Sequence, residues 1–475
     1  MSTIKVNTIT KRTGSTLTLG ESGATVAIAC GATTSGMGRT GTVDWCTTAK
    51  TAPFTAVSGD GFFVNTTSGA ITVTLPASPS AGDIVAFKDY AGTWATACKA
   101  VTVNNNGSKI NGTAATATLN TANQAVTLIY VDGTKGWQSI QDDSANVSGA
   151  SYISATGGTI TTSPCGDFKI HTFTANGCFA VSAIGSPGGG GDKVSYVVVG
   201  GGGGGGGENG TTTTSGGGGA GGYREGKDSP IDSYTASPLA AADSGLPVTV
   251  QTYPITVGGG GAGGPDASPN NGNGTVGVNS TFSSITAAGG GFGSGINSSP
   301  LAAGSGGSGG GGKQCNQAGP ANGGGVGNTP PVSPPQGNNG GKSNYGGGPI
   351  SPDNTYWAGG GGGAGAVGGN PASGSSTGPG GAGVASSITG SPVTRAGGGG
   401  AGKSNYPGPA SRPVGLGGAG GGGAGQPGPG TDPSALGTAN TGGGGGGGAG
   451  KANPGSSLGG TGGSGVVIIR YKFQN

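Results

Sequence analysis

Eight consecutive glycines, Gly200 to Gly207, follow directly on the β-branched run that ends at Val199. Glycine loses more backbone freedom on ordering than any other residue. A run of eight after a strand is therefore either slack or held by something outside itself. Such runs recur almost to the end of the chain, as GGGGAGG from Gly258 and GGAGGGGAG from Gly417, so the question governs most of the molecule.

Glycine supplies 120 of the 475 residues, roughly a quarter against about 7% in ordinary proteins. Charged residues make up only 8% and the net charge is +3. A charge spread so thinly forms no basic stripe able to track phosphates, so no nucleic-acid partner is expected. The opening MSTIKVNTITKR lacks an apolar signal region, and no run of about 18 apolar residues is present, so neither secretion by a signal peptide nor membrane insertion is expected. The six cysteines, Cys30, Cys46, Cys98, Cys165, Cys178 and Cys315, contain no CxxC pair, which removes zinc-type metal spacing. Cys165 and Cys178 are close enough in sequence to bridge a hairpin, but buried thiols are the preferred reading.

The pattern predicts an all-β, elongated protein. Residues 1–48 hold short alternating pieces, IKVNTI, STLTL and ATVAI, each too small for a core and expected to pair with copies of itself or with a neighbouring subunit. Residues 49–143 carry GFFVN, AITVTL, DIVAF, KAVTVN, AVTLIYV and WQSI between turn signals, which predicts a small β-sandwich or jelly-roll-like module. Residues 144–152 are a polar linker. A β-frame over 153–199 includes two alternating runs around Asn176-Gly177, a strong hairpin signal. Residues 200–463 form the glycine-rich region with variable loops, and 464–475 contain a closing strand, VVIIRYKF.

A glycine region that starts and ends in strands is an insertion in a frame rather than a tail. Without Cβ, glycine adopts the extended left-handed helix of three residues per turn and about 3.1 Å rise that proline also favours. Such a helix makes no internal hydrogen bonds, so its outward backbone groups must bond to neighbours. Fixing a residue costs about 1–2 kcal/mol, whereas a hydrogen bond returns about 0.5–1.5 kcal/mol net. One helix cannot stand alone, but a bundle pinned by strands and apolar islands such as PVTVQTYPITV can. Prolines whose φ suits the helix assist by restricting the unfolded chain.

FTANGCFAV, DKVSYVVVGGGGGGGG, TYPITVGGGGAGG, GVNSTFSSITAAGGGFG and GGSGVVIIRYKF, in that order, resemble the glycine-rich domain at the ends of bacteriophage tail fibres. MSTIKVNTITKRTGSTLTLG resembles the N-termini of fibres from T4-like phages of cyanobacteria, and SGAITVTLPASPSAGDIVAFKDYAGTW resembles a β-module common in such fibres. The resemblance implies a virion tail-fibre or receptor-binding protein, assembled in the bacterial host cytoplasm, with a C-terminal domain of packed polyglycine II helices. It also implies a homotrimer joined to the phage baseplate or other tail proteins through its N-terminal end. The expected partner at the other end is a host surface glycan or outer-membrane protein, met by loops on the lattice. A purely architectural fibre subunit without receptor contact is the alternative. The tail-fibre adhesins of T-even-type phages sit on a separate fibre, whereas this chain carries fibre-like modules of its own.

No enzyme, cofactor or metal is expected. Gly397 to Ser404, GGGGAGKS, matches the phosphate-loop pattern, but NYPGPASRP follows and its prolines exclude the helix that phosphate binding needs. His171, the single histidine, reads as a structural strand residue, and Asp142-Asp143 as a solvated linker pair. Among the island aromatics, Tyr253 and Phe282 lie in apolar patterns and are expected to pack. Tyr345 and Tyr406, in the two GKSNY repeats, together with Tyr356 and Trp357, are the candidate receptor contacts, since amphipathic rings grip a partner at low entropic cost.

Overall fold

A computed structural model describes residues 43–140 and 151–474, apart from 187–188, 209–212, 242–244, 266–271, 296–302, 314–322, 344–356, 373–375, 404–412, 429–433 and 451–456. Most of the 1–48 segment and the Asp142-Asp143 pair lie outside the described residues. The fold is all-β, and no α-helix is present among the described residues. The chain divides into two compact units, Met1–Gly149 and Ala150–Asn475.

In the first unit, β1 (Asp44–Lys50), β3 (Asp60–Val64), β5 (Ile84–Asp89), β8 (Ala125–Asp132) and β9 (Gly136–Ser139) form one sheet in that order. The second sheet orders β2 (Phe54–Thr55), β4 (Ile71–Thr74), β6 (Val101–Asn104) and β7 (Ala117–Leu119). Alternation along each strand sends Phe62, Val64, Val73, Val85, Phe87, Val103 and Leu128 inward, around Trp94 and Trp137. Two sheets over one core agree with the expected sandwich. Their connectivity departs from a jelly roll. The first six strands alternate between the sheets, and β1–β3–β5 and β2–β4–β6 pair in parallel. The chain thus coils before β7, β8 and β9 close it with antiparallel pairs.

The second unit is built on two sheets. One orders β10 (Ser154–Thr156), β13 (Gly177–Ala183), β18 (Thr252–Thr256), β19 (Ser280–Phe282) and β20 (Ile285–Ala287). The other orders β11 (Thr159–Thr162), β12 (Phe168–Phe173), β23 (Val466–Lys472), β14 (Lys193–Val199), β15 (Tyr223–Gly226) and β16 (Ala240–Ala241), with β17 (Leu246–Pro247) also beside β14. A separate hairpin joins β21 (Val384–Ser386) and β22 (Val393–Arg395). The Asn176-Gly177 runs are both strands but do not form a hairpin. β12 pairs with β11 and β23, whereas β13 pairs with β10 and β18, so the turn carries the chain from one sheet to the other. Burial of Phe173 and Phe179 in the core between the sheets favours that crossing. Tyr253 and Phe282 pack in the same core, as expected.

Val197, Val199, Val466 and Ile468 face a second core with Tyr223, Tyr234 and Ile388. The central strands β14 and β23 are therefore covered on both faces, which is why they read as near-continuous apolar runs, interrupted by Ser195 and Arg470. Beneath that core, Arg470 Nε donates to both oxygens of Asp232, at 2.9 and 3.0 Å, with both side chains buried. Ser195 Oγ donates to the same carboxylate, and Arg470 also donates to the Ile388 carbonyl. Burial pushes the Asp232 pKa up, and the neighbouring guanidinium opposes that shift.

Above the sheets the glycine runs form a lattice whose helical repeat is visible in the hydrogen bonds of residues 200–208. Gly200, Gly203 and Gly206 donate to Gly222, Gly219 and Gly216; Gly201, Gly204 and Gly207 donate to Val278, Thr275 and Gly272; Gly202, Gly205 and Glu208 donate to Gly463, Gly460 and Ser457. Three neighbours taken in rotation define three residues per turn. The carbonyls serve three further neighbours: Gly290 and Gly293 donate to Gly201 and Gly204, Gly261 and Gly264 to Gly202 and Gly205, and Gly445 and Gly448 to Gly203 and Gly206. This run sits inside a hexagon of six others.

Residues 215–222 are likewise surrounded, by 200–208, 288–295, 307–313, 357–363, 396–403 and 442–450. Interior backbone groups are thereby paired without any water, as burial demands. A Cβ on Gly201, Gly202 or Gly203 would meet the carbonyl oxygen of Gly259, Gly443 or Gly291 at 2.0, 2.0 and 2.1 Å. None of these glycines has a positive φ. Glycine is required here for what it lacks, a side chain, and not for unusual torsions.

Candidate functional site

The lattice has two chemically distinct ends. At the near end the runs continue into β14, β15, β18, β19, β20, β22 and β23, and the turns between runs pack beside the sheets. Gln336 illustrates the docking: its carbonyl accepts from Tyr223 N at 2.8 Å and its Oε1 accepts from Ala288 N at 2.9 Å.

At the far end, outgoing runs stop and returning runs begin, and these terminal residues bond to one another. Glu208 N donates to Ser457 O, Lys403 N to Gln426 O, Gly450 N to Lys403 O, Gly312 N to Gly341 O and Lys342 N to Asn370 Oδ1. The nine segments linking outgoing to returning runs (209–212, 266–271, 296–302, 314–322, 344–356, 373–375, 404–412, 429–433 and 451–456) leave from this layer and lie outside the described residues. Ser215 Oγ, buried in the same layer, donates to Gly207 O and approaches Glu208 Oε2 at 3.4 Å.

Of the four candidate contacts, Tyr345, Tyr356 and Tyr406 fall in these segments and lie outside the described residues. Trp357 is described, at the start of the run 357–363, and it is only 2% exposed. Its ring is packed into the lattice end and presents no surface to another molecule. No local pattern in the sequence separated it from Tyr356.

The reading of single residues missed a pattern in lysines. Lys313, Lys342 and Lys403 each cap an outgoing run, directly after GG, GG and AG. Lys342 is exposed, and the other two are half-buried. The repeated small-small-Lys sequence was the available signal. The arrangement places cations around an end that otherwise holds the buried Glu208 carboxylate and neutral backbone.

The other sequence motifs resolve into structure. Within Gly397–Ser404 the amides of Gly398, Gly399 and Gly400 donate to Gly381, Gly218 and Gly423, so they are unable to cradle a phosphate. His171 is fully buried, with Nδ1 2.7 Å from Gly157 O and Nε2 3.1 Å from the Tyr471 hydroxyl. Cys165 and Cys178 are not bridged, and both are exposed rather than buried: Cys165 lies in the turn before β12, and Cys178 on β13 points away from the core that takes the next residue, Phe179. No helix among the described residues is long and apolar enough to cross a membrane.

A family model for a glycine-rich domain matches residues 187–472, and the chain belongs to that family. The match covers the frame strands β14 to β23 together with the lattice they hold. No curated protein matches the chain.

Proposed function

We propose that this protein is a phage tail-fibre component that attaches the virion to the host cell surface through the segments leaving the far end of its glycine lattice. One observation carries the reading: every connection between outgoing and returning runs in 200–465 that lies outside the described residues departs from one layer, so these side-chain-rich segments share a single end of the lattice. Interior glycines such as Gly201, Gly202 and Gly203 have no room for a Cβ, so the lattice tolerates change at few other positions. Binding loops on a stiff scaffold lose little entropy on contact. Tyr345, Tyr356 and Tyr406 belong to those segments and supply amphipathic rings.

In this role the chain is non-enzymatic and acts without a cofactor. It is carried on the virion, joined to other tail proteins through its N-terminal part, and forms a homotrimer. The purified chain is expected to bind host cells and to compete with virions for adsorption. The triple substitution Tyr345→Ala, Tyr356→Ala, Tyr406→Ala is expected to weaken that binding at least about tenfold, a normal loss for aromatic anchors. Unchanged competition by the triple variant would remove these residues from the contact surface.

A second reading, an architectural subunit without receptor contact, draws on the lattice perimeter. Val276, Val278, Val326, Val367, Leu416, Leu436 and Leu458 are all exposed there. Lateral packing against other chains would cover them. Labelled virions distinguish the two: a receptor binder places the far end outermost, while an architectural subunit encloses it.

A further inference from the structure

The first unit carries an open depression of about 460 Å³ lined by Thr47, Phe63, Lys88, Asp89, Tyr90 and Asn123. Its volume falls in the range of small-ligand sites, about 300–1,000 Å³. The walls are aromatic. Tyr90 is 59% exposed, and Trp45, 40% exposed, extends the surface by packing on Phe63 with ring centroids 5.1 Å apart. The open Tyr90 and Trp45 rings contrast with Phe87, Trp94 and Trp137 of the same unit, which are buried completely.

The floor is rigid, and Asp89 makes it so. Asp89 is 3% exposed. Its Oδ1 accepts from the amides of Ala91, Gly92 and Thr93, and its Oδ2 from those of Trp94 and Asn123. One carboxylate therefore fixes both the loop that follows Tyr90 and the loop that carries Asn123. Asn123 is held at φ 61°, a left-handed conformation that costs a non-glycine residue free energy and persists only where the surroundings impose it. The Lys88 ammonium donates to the Asn123 carbonyl, which engages the second charge in the lining.

With both charged side chains committed to the floor, the groups that face the depression are neutral: the Thr47 hydroxyl, the Asn123 amide and the Tyr90 phenol, set beside aromatic faces. That set suits a ring with apolar C–H faces and a rim of hydroxyls. We infer that this depression binds a pyranose of a neutral saccharide, stacked on Tyr90 and Phe63 and hydrogen-bonded by Asn123 and Thr47. The inference does not depend on the tail-fibre reading, whose proposed receptor contacts lie in the other unit.

The test is saturation-transfer difference NMR on the full chain, with glucose, galactose, mannose and N-acetylglucosamine as probes. At least one probe is expected to give a signal, and Tyr90→Ala and Asn123→Gly are each expected to reduce its affinity at least about tenfold, the loss of an anchoring contact. Asn123→Gly removes the amide while keeping a residue suited to positive φ, so lost binding in that variant is not lost folding. Absence of a signal from all four probes overturns the proposal. So does a signal that survives both substitutions. A change of sedimentation coefficient in Tyr90→Ala, without bound sugar in the parent chain, would assign the surface to a contact between copies instead.

Discussion

Gly203 and Gly259 are the same residue type in the same kind of helix, yet a side chain would fare oppositely at the two. A Cβ on Gly203 would lie 2.1 Å from the Gly291 carbonyl oxygen, whereas nothing lies within 4 Å of one on Gly259. Gly203→Ala is expected to destabilise the second unit by about 3 kcal/mol or more, since the obstacle is backbone and cannot rotate away. Gly259→Ala is expected to be neutral or to stabilise by about 0.4–1 kcal/mol, through the lower entropy of the unfolded chain. Thermal unfolding of the two variants separates the outcomes. His171 gives a pH-dependent prediction. Burial holds its pKa below the ordinary histidine value, against the opposing effect of the Gly157 hydrogen bond, and Lys169 adds to the depression. The folded ring therefore stays neutral while the unfolded one protonates near about pH 6.5. Its contribution is complete above that pH and is lost as the pH falls below it, because the unfolded chain then binds a proton that the native site resists. Denaturant midpoints are expected to fall on acidification from about pH 6.5, and His171→Gln is expected to flatten that slope.

Among the elements, β14 and β23 were the most legible in sequence, because covering on both faces leaves apolar residues at nearly every position, as in SYVVV and VVIIRY. Strand existence in the first unit was equally readable from alternation. Pairing was not. Alternation is the same whether Phe62 lies opposite Phe87 in a parallel coil or in an antiparallel jelly roll, so the two differ only in connections. Asn176-Gly177 misled for a related reason: the dipeptide permits a tight reversal, but whether the strands it joins bond to each other is settled by which sheet buries Phe173 and Phe179. The Asp232–Arg470 pair belongs to this scale, since it ties β23 to the segment after β15. Asp232→Ala leaves a buried guanidinium uncompensated and is expected to cost about 3–5 kcal/mol. Adding Arg470→Met is expected to recover much of the loss, and chemical denaturation of the single and double variants measures the recovery.

For the molecule as a whole, the lattice predicts a graded pattern of hydrogen exchange. Amides of 200–208 bond to three different runs and are expected to exchange only on opening of the whole unit, while amides at the perimeter, such as that of Gly259, are expected to exchange orders of magnitude faster. Uniformly fast exchange from Gly258 to Gly448 would contradict a packed lattice. Composition and order alone determined that the chain is all-β, that its glycine runs are framed by strands, and that such runs need neighbours, because glycine has no side chain to bury and a three-residue helix no bonds of its own. Only the tertiary structure decided which runs are neighbours, because identical glycines carry no information about their partners. The hexagon around 200–208 draws on residues up to Gly463, and it is the strands flanking each run, held in register by their side chains, that choose the place of each helix. The same long-range packing brought the loop carrying Asn123 onto the Asp89 carboxylate, a contact that no local pattern encodes.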